Sequence, residues 1–400
     1  MAAANNIFSK IDFDKLAVRV LAVFAFVMLS YNLLVCWKVY REVPLREAAS
    51  RSLMAAGSRY FYDSGLSEPL TVFALKAAVF LGADPDAAVR AEGLAMFAAV
   101  TVLTVLVLRR RAGVLAGLMA ALFLAANPYL GYYAMQGDTH LYALFFLVLF
   151  WHYFDPAALN TRRAVLAGLY GGLACLARLD AAWAVLLAAG LFAALNFRSF
   201  NYKAAGVALG LALLLVAPYL AYQRAHYKNS FYAQELALRR WANIDQYRRD
   251  PAAPMLTAPL SAAAFVFRDG AAGALRGAFS GLGRSLAYEL PKTVYYKLII
   301  IFVFLGFYSA FVLKKDALLV FLAAVFLPVL ALAPINEISA AGGITLRYYL
   351  WTLWAFCAVA GLGFQSVLEW METQFGEWAA EKEKIILELE RKKGKPQVRR

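Results

Sequence analysis

Charged residues are scarce in this 400-residue chain: they make up 16% of it, whereas about 25% is usual in a soluble domain. Hydrophobic residues make up 62%, and the mean hydropathy is +0.60. This composition excludes an ordinary soluble globule, a disordered chain and a fibrous protein. Apolar runs of membrane-spanning length recur along the whole chain. We therefore predict a polytopic membrane protein.

Cysteine is also scarce. The three cysteines, Cys36, Cys175 and Cys357, each lie within an apolar run, which argues against a disulfide framework or a thiolate metal site. No Asn-x-Ser/Thr glycosylation signal occurs, as is common in bacterial membrane proteins. The formal net charge is +14, but the basic residues flank apolar segments. They are better explained by membrane topology and anionic lipids than by nucleic acid, so no nucleic-acid partner is predicted.

The apolar pattern predicts an all-α fold with about ten transmembrane helices. The predicted spans cover residues 16–37, 90–108, 112–129, 139–154, 164–178, 181–196, 204–222, 293–313, 316–334 and 347–367. With the N-terminus inside, every short basic cluster falls on one side, including the triple arginine at 109–111. We therefore expect a multi-pass protein of a bacterial plasma membrane, with both termini cytoplasmic.

Segment 69–82 is apolar but only 14 residues long, and Lys76 interrupts it. Counting it as a span would put the triple arginine outside, so we predict a helix lying in the outer interface. The transmembrane domain is then 1–367. It has two long outer loops at about 38–89 and 223–292, which contain interfacial helices. Residues 368–400 are predicted to form a basic, amphipathic, cytoplasmic helix.

Four places on the predicted outer face combine acidic residues with apolar structure. They are YREVP at 40–44, RYFYDSGLSEPL at 59–70, QGDTH at 136–140 and ARLD at 177–180. A partly desolvated carboxylate can act as a general base on an acceptor hydroxyl. Arginine or lysine can bind a phosphate and stabilise it as a leaving group. Acids and a histidine from separate loops can hold a divalent cation.

The order of these segments resembles that of a known enzyme superfamily. A long apolar helix leads into an outer loop with an acid near its start, followed by AASRSLMAAG, YFYDSGLSEPL, an interfacial helix and paired spans around the triple arginine. Further motifs are NPYLGYYAMQGDTHLYALFFLVL, HYKNSFYAQEL and LRYYLWTLWAFCAVAGLG. Over roughly residues 16–250 and the last motif, the chain resembles the GT-C integral-membrane glycosyltransferases. The closest likeness is to the protein-mannosyltransferase-like and aminoarabinose-transferase-like branch.

This resemblance implies transfer of a hexosyl or pentosyl group from a polyprenyl-phosphate donor to a glycan, lipid or protein hydroxyl. The reaction would take place at the extracytoplasmic face, with inversion. The family's catalytic carboxylate lies just after the first span, which corresponds to Glu42 here, where relatives usually have Asp. Asp63 is the other candidate for the base. A divalent ion, which some relatives bind, would be held by Glu68, Asp138 and His226.

Three basic residues, Lys76, Arg178 and Arg347, are the candidates for binding the donor phosphate. Each could instead be a plain interfacial anchor. The alternative function is a transporter or a flippase for lipid-linked glycans, and a third is a membrane scaffold without catalysis. Transporters place polar residues near the bilayer midplane, often within repeated halves. This chain has no charge near the middle of a predicted span and no evident repeat, which favours the transferase.

Overall fold

The computed structural model describes residues 13–45, 55, 69–313, 316–331 and 346–393. Within these ranges the chain forms helices and connecting turns, without any strand. The helices of the first half are α1 (Phe13–Tyr40), α2 (Pro69–Phe80), α3 (Pro85–Arg111), α4 (Val114–Ala125), α5 (Pro128–Met135), α6 (Thr139–Tyr153), α7 (Thr161–Ala177) and α8 (Ala181–Leu195). Those of the second half are α9 (Tyr202–Tyr227), α10 (Tyr232–Arg249), α11 (Ala262–Val266), α12 (Gly270–Arg284), α13 (Leu298–Val312), α14 (Asp316–Ala331) and α15 (Leu350–Lys393).

The all-helical prediction is confirmed for these residues, and so is the presence of apolar helices long enough to cross a membrane. Four helices meet that length and composition, or six if each of two bent pairs counts as one span. Each of the ten predicted spans contains a helix, but several of these helices have only 15 to 17 residues. The count of ten crossings therefore stays a prediction. In the first predicted outer loop, residues 46–54 and 56–68 lie outside the described residues.

Polar capping residues determine where many of these helices begin. A side-chain oxygen accepts a hydrogen bond from a backbone N–H group of the first turn and so replaces a missing intrahelical partner. The capping residues are Asp84 of α3, Asn127 of α5, Asp138 of α6, Asn160 of α7 and Asn201 of α9. The loop residues that the sequence places between apolar runs thus act directly on helix boundaries.

The third predicted span is broken rather than continuous. Helices α4 and α5 meet at an angle of 61° around Asn127 and Pro128. Asn32 of α1 donates to the backbone oxygens of Ala125 and Asn127 at 2.7 and 3.3 Å. These bonds satisfy carbonyl groups that the break removes from the helix, as buried backbone in an apolar environment requires.

Close helix packing in the centre depends on small residues. Helix α15 packs against both α13 and α4. A Cβ atom on Gly306 of α13 would overlap the carbonyl oxygen of Val359, and one on Gly361 of α15 would overlap that of Ala116. Glycine at these positions lets the helix backbones approach, which is the usual way in which membrane helices pack.

The outer surfaces of several helices are apolar. Phe26 and Leu34 on α1, and Phe304 and Phe311 on α13, are each at least 70% exposed. A soluble monomer rarely exposes so many large apolar side chains side by side. These surfaces match the membrane association that the helix lengths indicate.

Helix α15 continues far beyond the last predicted span. It runs without a break over 44 residues, from Leu350 to Lys393, which corresponds to about 66 Å at 1.5 Å per residue. The residues at 368–393, predicted to be a helical tail, are therefore the second half of the helix that contains the last predicted span.

Candidate functional site

Helix α6 joins two polar clusters, one at each of its ends. The cluster at its N-terminal end contains residues that the sequence predicts on the outer face, and we call it the outer cluster. Its members are Asp138, Thr139, His140, Arg178, Asp180, Arg347 and Tyr348. They come from the start of α6, the turn between α7 and α8, and the turn that precedes α15. Three distant parts of the chain thus contribute to one site.

Asp138 and His140 form a carboxylate–imidazole pair. The Asp138 side chain caps α6 by accepting from the backbone N–H of His140 at 2.8 Å. Its Oδ1 atom also lies 2.7 Å from Nδ1 of the His140 ring, so Nδ1–H donates to the carboxylate. The His140 side chain is only 1% exposed, and its Nε2 atom has no hydrogen-bond partner among the described residues. Nε2 is therefore available as a hydrogen-bond acceptor.

Arg178 connects the α7–α8 turn to the start of α6. Its Nε and Nη2 atoms each donate to the Asp180 carboxylate at 2.9 Å, in a bidentate arrangement. Its Nη1 atom donates to the Thr139 hydroxyl at 3.1 Å. The guanidinium is thus held in one orientation, which a single ion pair would not achieve.

Both carboxyl groups of the outer cluster stay ionised. Burial alone raises the pKa of Asp138, but the neighbouring His140 and Arg178 outweigh it and hold this pKa below its usual range. Burial also raises the pKa of Asp180, and there the bonded Arg178 guanidinium outweighs it in the same way. At neutral pH the cluster therefore holds two carboxylates against the guanidiniums.

Tyr348 brings a second guanidinium into the outer cluster. The Cζ atoms of Arg347 and Arg178 lie 5.0 and 5.8 Å from the centre of the Tyr348 ring, both within cation–π range. The His140 ring meets the same tyrosine edge to face, with ring centres 5.0 Å apart. Trp351 donates from its indole N–H to the His140 carbonyl at 2.8 Å. Two guanidiniums near one phenol are suited to binding a phosphate.

Glu42 lies on a short segment whose backbone is firmly held. Arg90 of α3 is buried, and its guanidinium donates to the carbonyl oxygens of Tyr40 at 2.8 Å, Val43 at 2.6 Å and Met135 at 3.3 Å. Because Met135 ends α5 just before the outer cluster, the end of α1 is tied to that region. The Glu42 side chain itself is 83% exposed. It is therefore open to an incoming molecule.

The other predicted residues lie apart from this cluster or outside the described chain. The Glu42 carboxylate pairs with Arg41 at 3.3 Å. Lys76 is half-buried in α2, and His226 is exposed near the end of α9. In the ranges that the structure describes, no hydrogen bond or ion pair joins Lys76 or His226 to the outer cluster. Asp63 and Glu68 lie outside those ranges. Of the predicted residues, Asp138, Arg178 and Arg347 are brought together.

The described residues do not form the predicted divalent-ion site. Across the described parts of the chain, no three His, Cys, Asp or Glu side chains are grouped so as to hold a metal ion. The Asp138 carboxylate is bonded to His140, and the Arg178 charge next to it opposes a further cation. Since Glu68, one of the three predicted ligands, lies outside the described residues, the ion site stays a prediction.

The opposite end of α6 carries a cluster of arginines. Arg111 donates to the carbonyl oxygens of Trp151 and His152, at 3.1 Å each, and Arg163 donates to that of His152 at 2.7 Å. Asp155 pairs with Arg111 at 3.5 Å. These guanidiniums cap the carbonyl groups that a helix leaves unpaired at its C-terminus, where positive charge is favourable. Arg111 was predicted only as a topology signal, and it also has this structural role.

Sequence reasoning gave no role to His140, to Tyr348 or to Arg90 nearby, although two of these three residues had a signal. His140 follows Asp138 by two positions at the start of a helix, a spacing at which a capping carboxylate can reach the ring. Arg90 stands near the N-terminus of an apolar helix, where a cation is unfavourable unless carbonyl groups surround it. Tyr348 joins the site only through the distant packing of α15, which no local pattern indicates.

Comparisons with known proteins do not place the chain in a family. No family model matches it, and no curated protein matches it. Its function is therefore inferred from the outer cluster and from the resemblance in the sequence.

Proposed function

We propose that this protein is a membrane glycosyltransferase that moves a sugar from a polyprenyl-phosphate carrier to an acceptor hydroxyl. The observation that supports it most is the pair of guanidiniums, Arg178 and Arg347, around the Tyr348 ring. They lie beside the Asp138–His140 pair at one end of an apolar helical protein. This combination offers a site for a phosphate with a buried carboxylate–imidazole pair next to it.

The proposed reaction is a single displacement at the anomeric carbon of the donor sugar. The acceptor oxygen attacks this carbon and forms the new glycosidic bond, while the bond between the carbon and the carrier phosphate breaks. The acceptor proton passes to a protein base, and the electron pair leaves with the phosphate. Such a displacement inverts the anomeric centre and needs no covalent enzyme intermediate.

Arg178 and Arg347 are assigned to the leaving phosphate. The phosphate gains negative charge as the bond breaks, and fixed guanidiniums stabilise that charge more in the transition state than in the bound donor. Because Arg178 is held by Asp180 and Thr139, little reorganisation accompanies this step. The apolar helix surfaces would accommodate the isoprenoid chain.

Two groups are candidates for the base. Glu42 corresponds to the carboxylate position of the resembling family, and its side chain is open to solvent. His140 has an Nε2 atom without a hydrogen-bond partner among the described residues and a carboxylate on its other nitrogen, but it is buried. We assign the base to Glu42 because an acceptor can reach it directly. Full transfer activity in Glu42→Gln would move the assignment to His140 or to Asp63.

The proposal is tested first in cells. Mass spectrometry of envelope glycans and lipids, with and without the protein, should reveal one missing sugar and so identify the product. Purified protein should then transfer that sugar from its polyprenyl-phosphate form. Arg347→Ala should lower this transfer at least tenfold, because one phosphate contact is lost. Arg276→Ala is the matched control, since Arg276 is an exposed arginine on α12 away from the cluster.

Two results would reject the transferase. One is an unchanged set of envelope sugars, and the other is equal transfer by Arg347→Ala and Arg276→Ala. The divalent ion is a separate question: transfer that persists after exhaustive chelation, with no metal found by elemental analysis, would remove it.

The membrane orientation is part of the proposal and has its own test. We assign both termini to the cytoplasm of a bacterial cell and the outer cluster to the outer face. Single cysteines introduced as Gly270→Cys and Asp63→Cys in a cysteine-free background should react with an impermeant reagent from outside. Lys315→Cys should react only after the membrane is opened. The reverse pattern would contradict the orientation.

One observation favours the alternative of a transporter. Helices α4 and α5 form a broken pair, and buried Asn32 and Asn127 lie at the break, a feature that transporters use to bind substrates. Proteoliposomes distinguish the two functions. Flux of a lipid-linked sugar without any change in covalent structure would support the transporter, whereas conversion of donor to product without net flux would support the enzyme.

A further inference from the structure

A cavity of about 310 Å³ lies at the C-terminal end of α6, opposite the end that carries the outer cluster. It is formed where the ends of α3, α6, α8 and α14 meet. Charged and polar side chains line it together with apolar ones; those used below are Arg110, Arg111, Asp155, Asn196, Asp316 and Phe192. A cavity of this volume is large enough for a small polar group and several water molecules.

Two charged residues of this cavity, Arg111 and Asp155, already have structural partners. Arg111 is bonded to the Trp151 and His152 carbonyls and paired with Asp155. Arg110 and Asp316 differ: both are exposed, and neither forms an ion pair within the described residues. The cavity therefore offers one open cation and one open anion.

Asn196 adds a neutral polar group to this pair of charges. Its Nδ2 atom donates to the Phe192 carbonyl at 3.0 Å, which leaves its side-chain oxygen as an acceptor. The neighbours of Asn196 in the chain, Leu195 and Phe197, are 63% and 70% exposed. A polar cavity thus lies directly beside an exposed apolar surface, an arrangement that suits an amphiphile.

The geometry points to a phosphatidylethanolamine molecule of the membrane as the occupant, with its headgroup in the cavity. Its phosphate would bind Arg110, its ammonium group would donate to Asp316, and its acyl chains would lie along Leu195 and Phe197. A purely anionic headgroup would leave Asp316 facing negative charge. A choline headgroup cannot donate a hydrogen bond to that carboxylate. This site is independent of the proposed transferase.

The test compares lipids on purified, delipidated protein by native mass spectrometry. Phosphatidylethanolamine, phosphatidylcholine and phosphatidylglycerol are supplied in equal amounts. Phosphatidylethanolamine should be retained preferentially. Arg110→Ala should weaken its retention about tenfold, because a charge-assisted hydrogen bond to the phosphate is lost. Arg109→Ala is the matched control, since Arg109 is the equally exposed neighbour that does not line the cavity.

A second variant tests the ammonium contact. Asp316→Asn keeps the shape of the side chain and removes its charge. It should lower phosphatidylethanolamine retention and remove the preference over phosphatidylcholine, while phosphatidylglycerol binding should rise or stay equal. Circular dichroism and thermal unfolding of each variant verify that the helices are intact.

Three outcomes would overturn the proposal. The first is equal retention of all three lipids by the natural protein, and the second is an equal loss in Arg109→Ala and Arg110→Ala. The third concerns the source of the headgroup. Soluble glycerophosphoethanolamine should fail to displace the lipid at millimolar concentration, and efficient displacement would show that the cavity takes a free solute instead.

Discussion

The two ends of helix α6 use charge in opposite ways. At its C-terminal end, Arg111 and Arg163 donate to helix carbonyls, so both guanidiniums have a structural explanation. At its N-terminal end, the Asp138 side chain alone satisfies the cap. Arg178 and Asp180 are extra charges that helix capping does not require. Charge beyond what the helix needs distinguishes a candidate site from a scaffold contact.

Removing the guanidinium of Arg178 from the outer cluster should have the largest effect. Arg178→Ala would leave the Asp138 and Asp180 carboxylates close together without their shared cation. We expect transfer to fall at least 100-fold, equivalent to about 3 kcal/mol, and the free energy of unfolding to fall by about 2–3 kcal/mol. The assays are product formation per folded protein and thermal unfolding in detergent. Arg178→Lys, which keeps the charge, should recover most stability but little activity.

Removing the guanidinium of Arg111, at the C-terminal end of α6, should affect stability alone. Arg111→Ala takes away two hydrogen bonds to α6 carbonyls and the partner of Asp155, so unfolding should become easier by about 2 kcal/mol. Transfer per folded molecule should be unchanged. A specific loss of catalysis in this variant would erase the distinction between the two ends.

Replacing the buried imidazole tests whether it only positions Asp138. His140→Phe keeps the aromatic packing against Tyr348 and Trp351 but removes the bond to the carboxylate. We expect a loss of about 1–2 kcal/mol in unfolding free energy. With Glu42 as the base, the acidic side of the pH profile for transfer, where a base becomes protonated, should keep its shape. A profile that loses its titration in this variant would assign the proton to His140 instead.

The smallest effect is expected for Asp138→Asn. Asparagine still caps the helix, so the loss at neutral pH should be about 1 kcal/mol. Because the pKa of Asp138 is lowered in the fold, the ionised group stabilises the protein above its unfolded pKa of about 4. That contribution is lost as the pH falls through the lowered value. Unfolding curves should therefore show the natural protein and the variant converging on acidification, and a constant difference would contradict this.

The helices were easier to predict from sequence than the site. Long apolar runs predict helices at nearly the right places, because this effect is local. The structure adds polar caps such as Asp84 and Asn160, which set the first turns. The break at Asn127 was missed, since the apolar pattern continues on both sides of Pro128. The carbonyl group that the break leaves unpaired at Ala125 is bonded by Asn32, which is far away in sequence. Local pattern cannot indicate such partners.

The site was predicted in part for the same reason. Asp138, Arg178 and Arg347 were singled out because each stands at the end of an apolar segment on the same predicted side. Their contact through Tyr348 depends on how α6, α7 and α15 pack. His226 stands at an equivalent segment end, yet it stacks on Tyr222 of its own helix. The end of an apolar segment can be located from sequence, whereas the residues that pack beside that end cannot.

Because α15 is long and unbroken, a small tilt at its first turn becomes a large displacement at its far end. Its first turn, through Trp351, is bonded to the backbone of His140, and its far end lies about 66 Å away. A tilt of about 5° at the first turn would swing that far end sideways by on the order of 6 Å. A displacement of the backbone beside His140 would therefore be carried along one continuous helix to residues about 66 Å away.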